Sequence, residues 1–136
     1  MKNKITLSVL FSFFGLCAFA QTIVSTTPEN RKVILEEFTG IYCTFCPQGH
    51  AIAQALQDDN PGNVYLINIH AGSYAAPGSG DPDFRTPWGQ AIADQSGLTG
   101  YPAGTVNRQN FPGHEQGNDG ATATSRNWWN GDGVTT

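Results

Sequence analysis

Hydrophobic positions divide the chain into a few segments with distinct periods. Val33–Thr39 is a short apolar run interrupted by Glu36 and Glu37 and closed by Gly40, which reads as a strand. After Cys43 and Cys46 the spacing changes to that of a helix, with Phe45, Gly49, Ile52 and Leu56 along one stripe. Pro47 falls in its first turn, and Asp58-Asp59-Asn60-Pro61-Gly62 stops it. Val64–His70, VYLINIH, is β-branched and apolar on both faces, the pattern of a buried central strand in a parallel sheet. Strand, helix and strand in this order define a right-handed βαβ unit.

The second half is less regular. Ala71–Asp83 is turn-rich and aperiodic, a surface loop at the C-terminal end of a strand, where α/β sheets place ligands. Tyr74 could meet a substrate there or simply be solvated. Thr86 caps and Pro87 opens a second helix, with Trp88, Ala91 and Ile92 on one face and Gly97 as its stop; Trp88 is expected in the core. Gly104–Arg108 reads as a strand antiparallel to the first pair. Beyond Asn110 the period is lost, apart from a short strand around 121–124 and a helix opening at Ser125–Trp129 that Gly131 and Gly133 break. Trp128 and Trp129 are then expected as uncovered apolar surface, so the domain looks truncated at its C-terminus.

The N-terminus carries its own signal. Lys2 and Lys4, an apolar run from Ile5 to Phe19 and Ala18-Phe19-Ala20 predict a secretory signal peptide over 1–20, cleaved before Gln21. Leu16 before Cys17 disfavours lipoprotein processing. Cleavage leaves a polar lead-in over 21–32 and one domain over 33–136, with 110–136 poorly defined. The full chain has 7 Lys+Arg and 11 Asp+Glu, and both lysines of the leader are lost from that balance. An acidic chain without a basic patch argues against nucleic acid as a partner. Cys17 also goes, so two cysteines remain for an oxidising compartment. The expected location is the periplasm, the outer membrane or the medium, with no transmembrane segment in the mature chain.

Cys43 and Cys46 carry the chemistry. A helix N-terminus lowers a thiol pKa, and a drop from ~8.5 to ~7 raises the thiolate fraction at neutral pH from about 3% to about half. Cys43, nearer the turn, is expected to be exposed and to attack; Cys46, inside the first turn, would resolve. A structural staple is disfavoured because so short a loop contributes only ~2 kcal/mol. A zinc site is disfavoured because it wants four ligands. His50, four residues after Cys46, could join both sulfurs around a metal, but reads better as a half-exposed helix residue. Glu37 shares a strand face with Leu35 and is either a desolvated acid beneath the pair or an ordinary exposed one. Arg108 pairs with an acid. His70 ends a strand near the sheet's active edge, and His114 lies solvated in the glycine-rich tail.

These segments resemble the thioredoxin superfamily and, through LEEFTG, CxxCP and GYPAGTVNR, the outer membrane protein 28 family of thioredoxin-like exported proteins, over about residues 31–110. The resemblance implies an α/β thioredoxin-like fold, a mixed central sheet flanked by helices. It implies that Glu37 is the buried acid six residues before the first cysteine, and that Tyr42 is the aromatic preceding it. Thr44-Phe45 takes the place of the intervening dipeptide. Pro102 would be the superfamily's cis-proline, leaving the Tyr101 backbone free to grip an extended polypeptide. Cys43, Cys46, Glu37 and Pro102 are thus the expected catalytic set, with Tyr42, Thr44, Phe45 and Tyr101 contacting substrate. The implied activity is thiol–disulfide exchange with a protein dithiol or disulfide, without a cofactor or a resident metal. Two alternatives stay open: a non-catalytic envelope protein whose cysteines stay oxidised, and metal handling.

Overall fold

The computed structural model describes residues 31–129. The signal peptide, residues 21–30 of the lead-in, and Gly131 and Gly133 lie outside them. Strand β1 (Val33–Thr39) leads through a turn into helix α1 (Cys46–Asp59), then β2 (Val64–His70). A short 3-10 turn at Ser73–Ala75 precedes α2 (Pro87–Ser96), β3 (Ala103–Val106), β4 (Ala123–Ser125) and the single-turn α3 (Arg126–Trp129). The described strands form one mixed sheet in the order β2-β1-β3-β4. β1 pairs in parallel with β2, Val33 opposite Val64, and antiparallel with β3, Leu35 opposite Val106. This is an α/β domain.

Alternation along β1 sends consecutive residues to opposite faces. Leu35 joins Ala53, Leu56, Val64, Val106 and Trp129 in one core beneath α1 and α3. Phe38 joins Ile69, Ala71, Ala93 and Ala103 in a second core beneath α2. Among the described residues β2 is an edge strand, and Tyr65 and Ile67 are exposed on the second face. The expectation of a buried central strand is therefore corrected. α2 covers only one end of that face, so apolar residues at the other end of β2 meet solvent.

The inward stripe of α1 keeps Gly49 and Leu56 of the one hydropathy picked, with Ile52 at the core's edge, whereas that of α2 keeps only Ile92, at its edge. α1 buries Cys46, Gly49, Ala53 and Leu56, while Phe45 is 60% exposed. α2 buries Gly89, Ala93 and Ser96, and Trp88 is 79% exposed, against its expected place in the core. Its caps are as expected: Thr86 accepts from the Gly89 N–H, and Gly97 ends the helix at φ 73°.

The C-terminal tryptophans correct a further expectation. Trp129 is fully buried, its indole N–H donating to Thr124 Oγ1 at 3.0 Å. Trp128 is half-buried and packs on Phe111 and the exposed His114. β3 stops at Val106 because Asn107 and Arg108 both take φ 51°. Asn107 instead bonds back to β1, its side chain accepting from the Ile34 N–H and its own N–H donating to the Ile34 carbonyl, each at 2.9 Å.

Candidate functional site

The turn between β1 and α1 begins at Gly40, where a Cβ would stand 2.5 Å from the Tyr74 carbonyl oxygen. Only glycine permits that approach. The Tyr42 N–H donates to the same carbonyl at 3.0 Å, and the Tyr42 hydroxyl donates to Asp81. The loop after β2 is thus fastened to the cysteine turn at two points. The Asp81 bond raises the Tyr42 pKa by stabilising the protonated phenol.

Cys43 and Cys46 are joined in a disulfide with their Cα atoms 5.4 Å apart. The bridge sits on the N-terminus of α1, where Phe45 supplies no side-chain cap and the first turn holds no acid. The positive end of the helix therefore faces the sulfurs with no acid in its own first turn to compete. Cys46 is 1% exposed and Cys43 7%, so the expectation of an exposed Cys43 is corrected. The order of accessibility is kept, but in the oxidised state both residues are buried.

On β1, Glu37 is 1% exposed. Its Oε2 lies 2.8 Å from His50 Nδ1, while its Oε1 is buried without a hydrogen-bond partner. Burial raises the Glu37 pKa, partly offset by the charge and hydrogen bond of His50. Gly49, one turn beyond Cys46, makes this packing possible. A Cβ there would stand 2.7 Å from both Glu37 Oε1 and Pro102 Cγ. Pro102 is buried, and the Tyr101–Pro102 peptide bond is cis.

The expected catalytic set converges on Gly49: Glu37 and Pro102 pack against it, and the cysteine bridge lies one turn before it. Tyr42, Thr44 and Phe45 are exposed around the bridge, with Arg126 over the Phe45 ring at 5.4 Å. Tyr101 is half-buried and meets Tyr74 edge-on, ring centres 5.6 Å apart.

Other residues fall elsewhere. Arg108 donates to Glu36 on the opposite sheet face and holds its carboxyl below the usual range. His70 leaves its buried Nδ1 unpartnered, and burial lowers its pKa.

Two features escaped sequence reasoning. His50 turns to Glu37 and also sets Nε2 3.2 Å from Thr39 Oγ1, so both ring nitrogens have protein partners instead of facing the sulfurs as ligands. Among the described residues no three His, Cys, Asp or Glu side chains cluster as a metal site. Gln116, in the glycine-rich tail, clamps the segment before Pro102. Its Oε1 accepts from the Thr99 and Gly100 N–H groups, both at 3.1 Å, and its Nε2 donates to the Gly100 carbonyl at 3.0 Å.

No family model, curated protein or solved structure matches this chain. Among the described residues no helix is long and apolar enough to cross a membrane.

Proposed function

We propose that the chain is an exported thioredoxin-like protein, akin to the outer membrane protein 28 family, that exchanges disulfides with another protein through Cys43 and Cys46. The observation that carries this reading is the bridge closed over two intervening residues at an uncapped helix N-terminus, on the helix whose Gly49 packs against a desolvated acid. A bridge this short adds little chain stability, yet keeps both sulfurs together through a two-electron change. With the pair reduced, Cys43 attacks a substrate disulfide and one substrate thiolate leaves. Cys46 then attacks Cys43 Sγ, releasing the second substrate thiolate and re-forming the bridge. Glu37 takes the Cys46 proton. Pro102 and the Tyr101 backbone hold the polypeptide, and the exposed Tyr42, Thr44 and Phe45 form the rim it meets. The protein acts in the cell envelope or outside it.

The burial of Cys43 favours a second reading, an envelope scaffold whose bridge stays oxidised. Trapping separates them. Cys46→Ser is expected to accumulate a mixed disulfide with a partner from envelope extract, detected by non-reducing electrophoresis, and Cys43→Ser to trap none. The scaffold reading requires no trapped partner from either variant and a potential below about −300 mV.

A further inference from the structure

A buried carboxylate that collects a proton from Cys46 needs a way to balance the charge it gains. Glu37 itself has no contact with water, being 1% exposed. His50 does: 39% of its side-chain surface is exposed, and its Nδ1 stands 2.8 Å from Glu37 Oε2. The two carboxylate oxygens are differently placed. Oε2 is engaged by the imidazole, whereas Oε1 has no hydrogen-bond partner and lies against Gly49, on the helix that carries Cys46. Thr39 Oγ1 sits 3.2 Å from the other ring nitrogen and fixes the ring plane. The remaining titratable group bearing on the pair is His70 at the end of β2, whose pKa is lowered first by burial and then by the charge of His50.

We propose that Glu37 and His50 act as a charge-balanced proton relay, in which His50 is the solvent outlet of the disulfide-exchange step. This rests on the exchange reading above. The relay begins as carboxylate and imidazolium, with net charge zero. As Cys46 attacks Cys43 Sγ in the mixed disulfide, the Cys46 proton passes to Glu37 Oε1. The sulfur–sulfur bond to substrate breaks, and its electron pair leaves on the substrate thiolate. His50 releases one proton from Nε2 to solvent and keeps Nδ1–H on Oε2. Carboxylic acid and neutral imidazole remain, again with net charge zero. When a dithiol later reopens the bridge, the departing Cys46 thiolate recovers its proton from Oε1, Nε2 takes one from water, and the relay is reset. No uncompensated charge is left in the dry interior at either stage, the condition under which a buried acid can cycle cheaply. His50 acts through Glu37 and does not touch sulfur; it is a positioning and relay residue.

His50→Asn tests this, because an asparagine amide N–H can take the place of Nδ1–H on Oε2 but has no second proton to release. Reduced protein is mixed with oxidised glutathione, and acid-quenched samples are followed by intact mass. Formation of the mixed disulfide at Cys43, read in a Cys46→Ser background, is expected to be unchanged within about 2-fold. Its resolution by Cys46 is expected to slow by about 100-fold, the lower end for a positioned proton carrier. Glu37→Gln should slow resolution similarly, and the double variant no further than the slower single. His50→Gln provides a second replacement should the asparagine variant not fold. Wild-type resolution in a folded His50 variant, with Glu37→Gln slow, would overturn the relay while leaving disulfide exchange standing. Failure of Cys46→Ser to form any mixed disulfide overturns the exchange reading, and the relay with it.

Discussion

Glu36 and Glu37 are neighbours in sequence and opposites in environment. Both are buried on β1, but the strand sends them to different faces. Glu36 receives Arg108 Nε at 2.7 Å and the Thr105 hydroxyl at 3.0 Å, so its charge is matched and its pKa falls. Glu37 lies beneath α1 with one oxygen unpartnered and only a half-exposed histidine on the other, so its pKa rises. The same side chain holds its charge where a guanidinium reaches it and is pushed toward its protonated form where none does. Burial alone decides neither role; the partner does.

The largest test concerns how completely the Glu37 face is sealed. Trp129 closes it, fully buried against Leu35, Ala53, Leu56, Val64 and Val106. Trp129→Ala is expected to cost about 3–5 kcal/mol in urea unfolding, the range for emptying a large aromatic site. Trp88→Ala, at a position 79% exposed, should stay within about 0.5 kcal/mol. Equal costs for the two tryptophans would show that the first face is not sealed by α3.

A smaller effect sharpens the contrast from the other side. Arg108→Met leaves Glu36 buried with Thr105 alone, and is expected to cost about 2 kcal/mol at pH 7. That is less than the 3–5 of a fully buried pair, because the Arg108 side chain is 57% exposed and screened by solvent. The sign with pH follows from the lowered pKa. Wild-type stability from Glu36 is present above its unfolded pKa and is lost as pH falls through the folded value. The gap between variant and wild type should therefore narrow in acid. A gap that widened there would mean that the pair is not what holds Glu36.

Strands β1 and β2 were legible because β-branched runs bounded by turn residues have few other ways to bury themselves. The helices were legible in extent, and α1 in much of its orientation, α2 in little of it. Hydropathy favours large side chains, whereas a helix lying close on a sheet turns its small ones inward: Ala53 in α1, Gly89 and Ala93 in α2. Phe45 and Trp88 were misplaced for that reason, and Trp129 was misread because its cover comes from segments far away in sequence. At the site, the cysteine pair could be picked out from helix position, whereas strand alternation put Glu37 on the face of Leu35 and left its burial open. The direction of His50 could not be picked out, since a histidine four residues after Cys46 fits a ring turned toward sulfur or toward β1. The Gln116 clamp left no periodic trace, being a single polar side chain acting across a glycine-rich loop.

The smallest effect is also the one whose sign is least intuitive. Glu37→Gln removes a charge from a residue that is 1% exposed, and the oxidised variant is expected to be more stable than wild type at pH 7. A carboxyl whose folded pKa is raised contributes stability fully present below its unfolded value. That contribution is lost as pH rises through the folded one. Wild type is therefore handicapped at neutral pH and not in acid, and the advantage of the variant should vanish as pH falls below 4.5, the ordinary value for a glutamate. Two effects oppose each other in the size of the gain. Relief of desolvation favours glutamine, whereas loss of the charge-assisted bond to His50 favours glutamate. Desolvation is the larger of the two, as the upward direction of the pKa requires. Urea titrations of both proteins at pH 7 and pH 4 measure the balance. A glutamine variant less stable at pH 7 would mean that His50 more than compensates the buried carboxylate, making Glu37 a second anchor like Glu36 and removing the difference between the two faces.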